Sequence, residues 1–201
     1  MSTIATTNIK EPSSATNNIT LTSGGDTTIS GNATISGNAT VTGTLTFPPS
    51  AGQVLQVVHF HEGNKVSGSG TQIPIDDTIP QNTEGDEFMT LAVTPVSATS
   101  KLLINVNAIT ATSNQGWISL ALFQDSTADA LATSFIYNGQ LNATTPIALT
   151  HYMVSGTTSS TTFKVRIGLQ TTGTITLNGV PSSRYHGGKA ASSITITEIA
   201  T

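Results

Sequence analysis

The sequence predicts an all-β protein with an extended N-terminal segment (residues 1–26), a short trimeric β-helical shaft (27–47) and a C-terminal antiparallel β-sandwich of the jelly-roll kind (48–201). Three observations predict this order. A six-residue repeat occupies the second part, only 9% of all residues are charged, and short apolar runs alternate with turn residues after residue 48. Chains rich in Thr, Val and Ile but poor in charge are usually built from pleated strands.

The first 26 residues are polar and carry few apolar anchors. Lys10-Glu11-Pro12 interrupts any regular element, because proline cannot continue a strand ladder. Such a segment does not order alone, and we expect a docking peptide that orders on a larger assembly. A frayed terminus is the alternative.

The repeat in residues 27–47 reads TTISGNATISGNATVTGTLTF. Its odd positions carry apolar or small residues, and every even position from Thr28 to Thr46 is polar. A period of two is that of a strand with one apolar face, and a repeated strand unit is typical of solenoids and fibres.

The repeat is too short for a β-helix made by one chain, because each coil must cover its neighbour. Three copies wound together would bury the apolar stripe, which predicts a homotrimer. The predicted axis residues are Ile29, Ile35, Val41 and Phe47. The alternative is a flexible linker rich in Thr, Ser and Gly.

Pro48-Pro49 ends the repeat, and about nine short strands follow it. The segment 127–133 (TADALAT) is the weak candidate for a helical turn. Trp117 lies in a run that is apolar on both faces, which predicts a central strand with Trp117 in the core. The predicted strands are Gln53–Phe60, Phe88–Val93, Leu102–Ala108, Trp117–Phe123, Phe135–Tyr137, Ile147–Val154, Phe163–Leu169, Ile175–Leu177 and Ile194–Ile196.

Composition excludes several classes of partner. The formal net charge is −4 and no basic run exists, so nucleic-acid binding is not expected. No apolar stretch approaches 18 residues and no N-terminal signal peptide is visible, so no membrane insertion is expected. Without an export signal, a chain of this composition suits a particle assembled in the host cytoplasm.

Several segments together resemble a family of small trimeric tail-fibre-like structural proteins of tailed bacteriophages, of the cyanophage type. They are STIATTNIKEPSSATNNITLTSGG, TISGNATVTGTL, GQVLQVV, VTPVSATSKLLINVNA and SSITITEIA. The resemblance implies a virion-located homotrimeric fibre, attached to other virion proteins through residues 1–26, whose C-terminal domain recognises a host surface. A purely structural virion component, such as a capsid decoration or tail connector, is the alternative. A cellular adhesin or carbohydrate-binding module is disfavoured by the missing export signal.

His59 and His61 depart from the Thr/Lys-rich tract usual after GQVLQVV in that family. Two residues apart on a strand, both imidazoles share one face. Near a trimer axis, three such pairs would supply six nitrogens for a first-row metal. Phage fibres sometimes use such pairs in this way, as the resemblance implies. The alternative is two surface histidines, with no cofactor.

The segment 181–191 (PSSRYHGGKAA) is the candidate receptor-binding loop. Arg184, Tyr185, His186 and Lys189 give it cations and an aromatic ring, which suit a host surface glycan or lipopolysaccharide. An ordinary hairpin tip is the alternative.

No enzyme is expected. The acids cluster at Asp76-Asp77 and at 84–87 (EGDE), where we expect solvated turns, because adjacent residues of a strand point to opposite faces. No nucleophile elbow or phosphate loop exists.

Overall fold

Alternating apolar and polar residues form strands close to the positions that the sequence predicts. The computed structural model describes Asn38 and residues 48–201, so the predicted axis residues Ile29, Ile35, Val41 and Phe47 and the segment 1–26 lie outside it. The strands are β1 Val54–Glu62, β2 Val66–Ser67, β3 Asp86–Val93, β4 Lys101–Thr112, β5 Gly116–Gln124, β6 Ala132–Asn138, β7 Thr144–Val154, β8 Thr161–Leu169, β9 Ile175–Leu177, β10 Gly179–Val180, β11 Ser183–Arg184 and β12 Ser192–Ile199.

The first sheet is built on the long strand β4, which has a partner along each edge. β7 pairs with one edge of β4. β12 and the short β9 pair with successive parts of the other edge. β1 lies beside β12, and β2 lies beside β9. All of these pairs are antiparallel, so every strand alternates between an inner and an outer face.

The second sheet has the order β3-β8-β5-β6 and is also antiparallel. One hydrophobic core takes side chains from both sheets, with Leu102, Ile104 and Ile196 from the first and Leu120, Val165 and Ile167 from the second. The prediction of an all-β chain with antiparallel sheets is therefore confirmed.

A second, smaller core lies on the other side of the second sheet. Residues 68–85 cross that outer face, where Ile73 is fully buried against Ala121 and Phe123. A Cβ added at Gly168 would lie 2.7 Å from Cγ1 of Ile73, so only glycine allows this approach. The chain thus covers part of this face with its own residues.

The helical turn predicted at residues 127–133 is wrong, because Asp129 instead forms an isolated β-bridge with Gln81. The described residues contain a short 3-10 helix at His186–Gly188. Nothing helical in the described part of the chain has the length and apolar character needed to cross a membrane.

Candidate functional site

The loop 181–191 is held at its base by Asn178. This residue is buried, and its backbone has the left-handed conformation, with φ at 61°. The Asn178 Nδ2 atom donates to the carbonyl oxygens of Glu62 at 2.7 Å and Asn64 at 2.8 Å. Its Oδ1 accepts from Oγ of Ser192 at 2.8 Å. Asparagine tolerates this backbone conformation, so a single side chain ties the loop to two neighbouring segments.

A second contact joins the loop to the turn after β1. A Cβ on Gly63 would lie 2.9 Å from the carbonyl oxygen of Gly188, so the two backbones approach closely. The Lys65 ammonium donates to the carbonyl oxygen of Pro181 at 2.6 Å. The loop is therefore part of a fixed scaffold at one end of the sandwich.

The four predicted receptor-binding residues lie together on this loop. Arg184 ends β11, Tyr185 and His186 follow it, and Lys189 ends the 3-10 helix. All four are exposed, and the rings of Tyr185 and His186 lie edge to face with centroids 6.4 Å apart. That they bind a ligand stays a prediction.

Positive charge is concentrated at this end of the domain. The chain has seven Lys and Arg residues, and six of them lie in the described part, because Lys10 is outside it. Three of these six are Lys65, Arg184 and Lys189. Among the described residues, the ion pairs join Glu87 to Lys164 and Arg166. Neither Lys65 nor the loop residues Arg184 and Lys189 take part in these ion pairs, so their charges can attract an anion.

His59 and His61 point outward from β1, as their spacing predicts. Their ring centroids are 6.4 Å apart, and Nδ1 of His59 lies 2.8 Å from the Thr195 hydroxyl. No cluster of three or more His, Cys, Asp or Glu residues suited to a metal occurs in residues 48–201. A metal held jointly by several copies stays a prediction.

A row of large side chains crosses the outer face of the first sheet. Val57, Thr197, Leu103 and Tyr152 lie side by side in register across β1, β12, β4 and β7. Val57 is 57% exposed and Tyr152 is 56% exposed. A continuous row of this kind is typical of a surface that meets another chain.

The prediction that Trp117 lies in the core is wrong, because 36% of its surface is exposed. Its ring packs edge to face against Phe135 and Tyr137 on β6, with centroid distances of 5.6 and 5.3 Å. Residues 68–85 cover Ala121 and Phe123 further along β5 but stop short of Trp117. The alternation of aromatic and smaller residues on β6 was the signal that sequence reasoning missed.

Asp86 is not the solvated turn residue that the sequence predicts. Its carboxylate accepts hydrogen bonds from the Ser69 hydroxyl at 2.6 Å, the Gly70 backbone at 2.8 Å and the Thr71 hydroxyl at 2.8 Å. Burial raises the pKa of Asp86, but these bonds outweigh it and hold the pKa below its usual value. Asp86 therefore anchors the segment that covers the second sheet.

Glu198 has a corresponding role beside the first sheet, and sequence reasoning missed it. Its fully buried carboxylate accepts from Oγ of Ser100 at 2.6 Å, Nε2 of Gln56 at 2.5 Å and the backbone of Val96 at 2.9 Å and Ser97 at 3.2 Å. Burial raises the pKa of Glu198, yet the bonds lower it overall. Both carboxylates hold connecting segments in place.

These features define an all-β domain of two antiparallel sheets that carries an anchored, basic loop. Residues 58–201 match the family model of the Pgp3 C-terminal domain of Chlamydia, and the chain belongs to this family. The resemblance to bacteriophage tail fibres is therefore wrong. The predictions of a virion location, a fibre function and, as the alternative, a structural virion component are wrong for the same reason.

Three solved structures have a distant likeness to this chain. PorU from Porphyromonas gingivalis is 9% identical with a TM-score of 0.36, over 75% of this chain and 14% of that one. The infectious bursal disease virus Gx strain structure is 12% identical with a TM-score of 0.36, over 83% and 43%. Tailspike protein 4 of bacteriophage CBA120 is 12% identical with a TM-score of 0.24, over 62% and 19%. This chain thus spans less than half of each, and no curated protein sequence matches it.

Proposed function

We propose that this chain is a non-enzymatic, homotrimeric binding module whose loop 181–191 binds an anionic glycan. The observation that carries the proposal is the group of three cations without an ion-pair partner among the described residues, Arg184 and Lys189 on an anchored loop and Lys65 beside it, in a chain with few charges.

The chemistry of the loop suits a sulfated or carboxylated sugar. A guanidinium such as that of Arg184 donates two parallel hydrogen bonds to a carboxylate or sulfate. Lys65 and Lys189 add point charges, and the exposed ring of Tyr185 offers a face to a sugar ring. An anchored loop loses little entropy on binding, so weak contacts gain in value. Three copies of the loop in one assembly would raise the apparent affinity further.

The proposed trimer has two supports. Val57 and Tyr152 are exposed on the first sheet with the partly buried Leu103 between them, and this row would be covered by a partner. The apolar stripe of residues 27–47 would need two partner chains. In this proposal the two sheets form a jelly-roll sandwich and residues 27–47 form the β-helical shaft. No cofactor is required, although three copies of His59 and His61 would suffice for a metal site.

Affinity electrophoresis in gels that contain heparin or alginate tests the binding proposal. Arg184→Gln with Lys189→Gln should lower the affinity about tenfold or more and flatten its dependence on salt. Lys101→Gln with Lys164→Gln removes the same charge elsewhere and is the matched control. Equal loss in both double variants would reduce the effect to net charge and refute the loop as the site.

Multi-angle light scattering tests the assembly. The wild type should have three times the chain mass. In a fragment of residues 48–201, Tyr152→Glu should lower the measured mass to that of one chain, because it places a charge in the proposed contact. Tyr137→Glu, a change to a similarly exposed tyrosine on the second sheet, should leave the trimer intact. A monomeric wild type, or a trimer insensitive to Tyr152→Glu in a fragment of residues 48–201, would contradict the proposed interface.

A further inference from the structure

The outer face of the second sheet carries an aromatic shelf formed by Trp117, Phe135 and Tyr137. Phe135 is 62% exposed and Tyr137 is 53% exposed. Trp117 lies opposite Tyr137, and the neighbouring Ser119 lies opposite Phe135 in the β5–β6 register. Exposing three neighbouring rings costs solvation free energy, so such a shelf is typical of a binding surface.

A shallow cleft continues the shelf along β6. Its walls are Phe135 and Thr133 on one side and Pro74, Ile75 and Pro80 from the covering segment on the other. With successive outward residues of a strand about 7 Å apart, the line from Tyr137 to Thr133 is about 13 Å long. This length suits a short chain of rings rather than a single small molecule.

Neutral polar groups surround the rings. The cleft lining includes the hydroxyl residues Ser119, Thr133 and Thr78, and its charged member is Asp76, whose carboxylate already accepts bonds from the hydroxyl and backbone of Thr78. The backbone of Gln170 donates to the Trp117 carbonyl oxygen at 3.1 Å, so this polar residue lies next to Trp117 on the neighbouring chain segment.

No Lys, Arg or His lines the cleft among the described residues. The cations are elsewhere: Lys164 and Arg166 pair with Glu87, and Lys65, Arg184 and Lys189 lie at the loop. The shelf therefore has the groups that stack on sugar rings and bind hydroxyls, but none that would neutralise an anionic sugar.

We infer that the shelf Trp117–Phe135–Tyr137 and its cleft bind an uncharged oligosaccharide. This site is separate from the loop 181–191 and does not depend on the proposed function of that loop. The rings stack on the apolar faces of two or three sugar units, and Ser119, Thr133 and Thr78 bind their hydroxyls.

The single tryptophan of the chain makes the test direct. Full-length protein is titrated with soluble neutral polysaccharides, namely xylan, mixed-linkage β-glucan, galactomannan and dextran, while Trp117 fluorescence is recorded. Retardation in gels that contain the same polysaccharides gives an independent affinity. At least one of them should shift the emission and retard the protein, with an affinity unchanged between 50 mM and 500 mM NaCl.

Phe135→Ala should weaken that binding about tenfold. Val96→Ala, which removes an exposed apolar side chain beside the first sheet, and Arg184→Gln, which alters the loop, are the controls and should bind as the wild type does. Light scattering of Phe135→Ala should give the wild-type mass.

Three results would overturn the inference. The first is a panel of neutral polysaccharides that neither shifts Trp117 emission nor retards the protein. The second is binding that Phe135→Ala leaves unchanged. The third is a change in oligomeric state in Phe135→Ala, which would make the shelf a contact between copies of the chain.

Discussion

The two sheets bury similar inner faces but differ on their outer faces. Residues 68–85 cross the outer face of the second sheet and bury Ile73 there. None of the residues 48–201 covers the outer face of the first sheet, although Val57 and Tyr152 stand exposed on it. This chain therefore covers part of one outer face with its own residues and leaves the other open, and it is at the open face that we propose a contact with another copy.

The largest expected effect comes from removing the cover of the second sheet. Ile73→Ala should destabilise the domain by about 2–4 kcal/mol, because it empties a fully buried site beside Phe123. Ile75→Ala, two residues on and 46% exposed, should cost less than about 0.5 kcal/mol. Urea unfolding of both variants measures the contrast. Equal losses would mean that Ile73 does not close a second core.

The next largest effect is the loss of stability when Glu198 or Asp86, the two carboxylates that hold connecting segments in place, is changed. Glu198→Gln should destabilise the domain by about 1–3 kcal/mol at pH 7, because its donors lose a charged acceptor. Asp86→Asn should cost less, since Asp86 is only partly buried. Thermal unfolding at pH 7 ranks the two, and Asp77→Asn, at an exposed aspartate, is the control.

The same anchors set the pH dependence of stability. Both carboxyl groups have a folded-state pKa below the ordinary value, so their contribution is complete above the unfolded pKa and lost as pH falls through the folded one. Stability should therefore decline below about pH 4. The decline should be shallower in Glu198→Gln. A wild-type melting temperature that stays constant from pH 6 to pH 3 would contradict this assignment.

The smallest expected effect is on the surface of the second sheet. Glu87 lies 3.8 Å from Lys164 and 3.7 Å from Arg166, and 37% of its side chain is exposed. Glu87→Gln should cost at most about 1 kcal/mol, and the difference from the wild type should disappear in 1 M NaCl. Arg166 should keep its place, because it also donates to the backbone of Glu84 and Gly85. A large loss at high salt would give Glu87 a packing role.

What the sequence by itself determined is the all-β class and the approximate strand positions, because alternation and turn residues act within a few neighbouring positions. It also predicted that His59 and His61 share one face and that Arg184 to Lys189 lie on an exposed loop. It could not assign the family from short polar motifs, whose low specificity also suited phage fibres.

Only the tertiary structure decided which outward faces are covered. Ala121, Phe123 and Trp117 point to the same side of β5, yet a segment from elsewhere in the chain buries the first two and leaves Trp117 exposed. Likewise, Asp86 and Glu198 became anchors because distant backbone donors converge on them. Such contacts join residues far apart in sequence, so no local pattern records them.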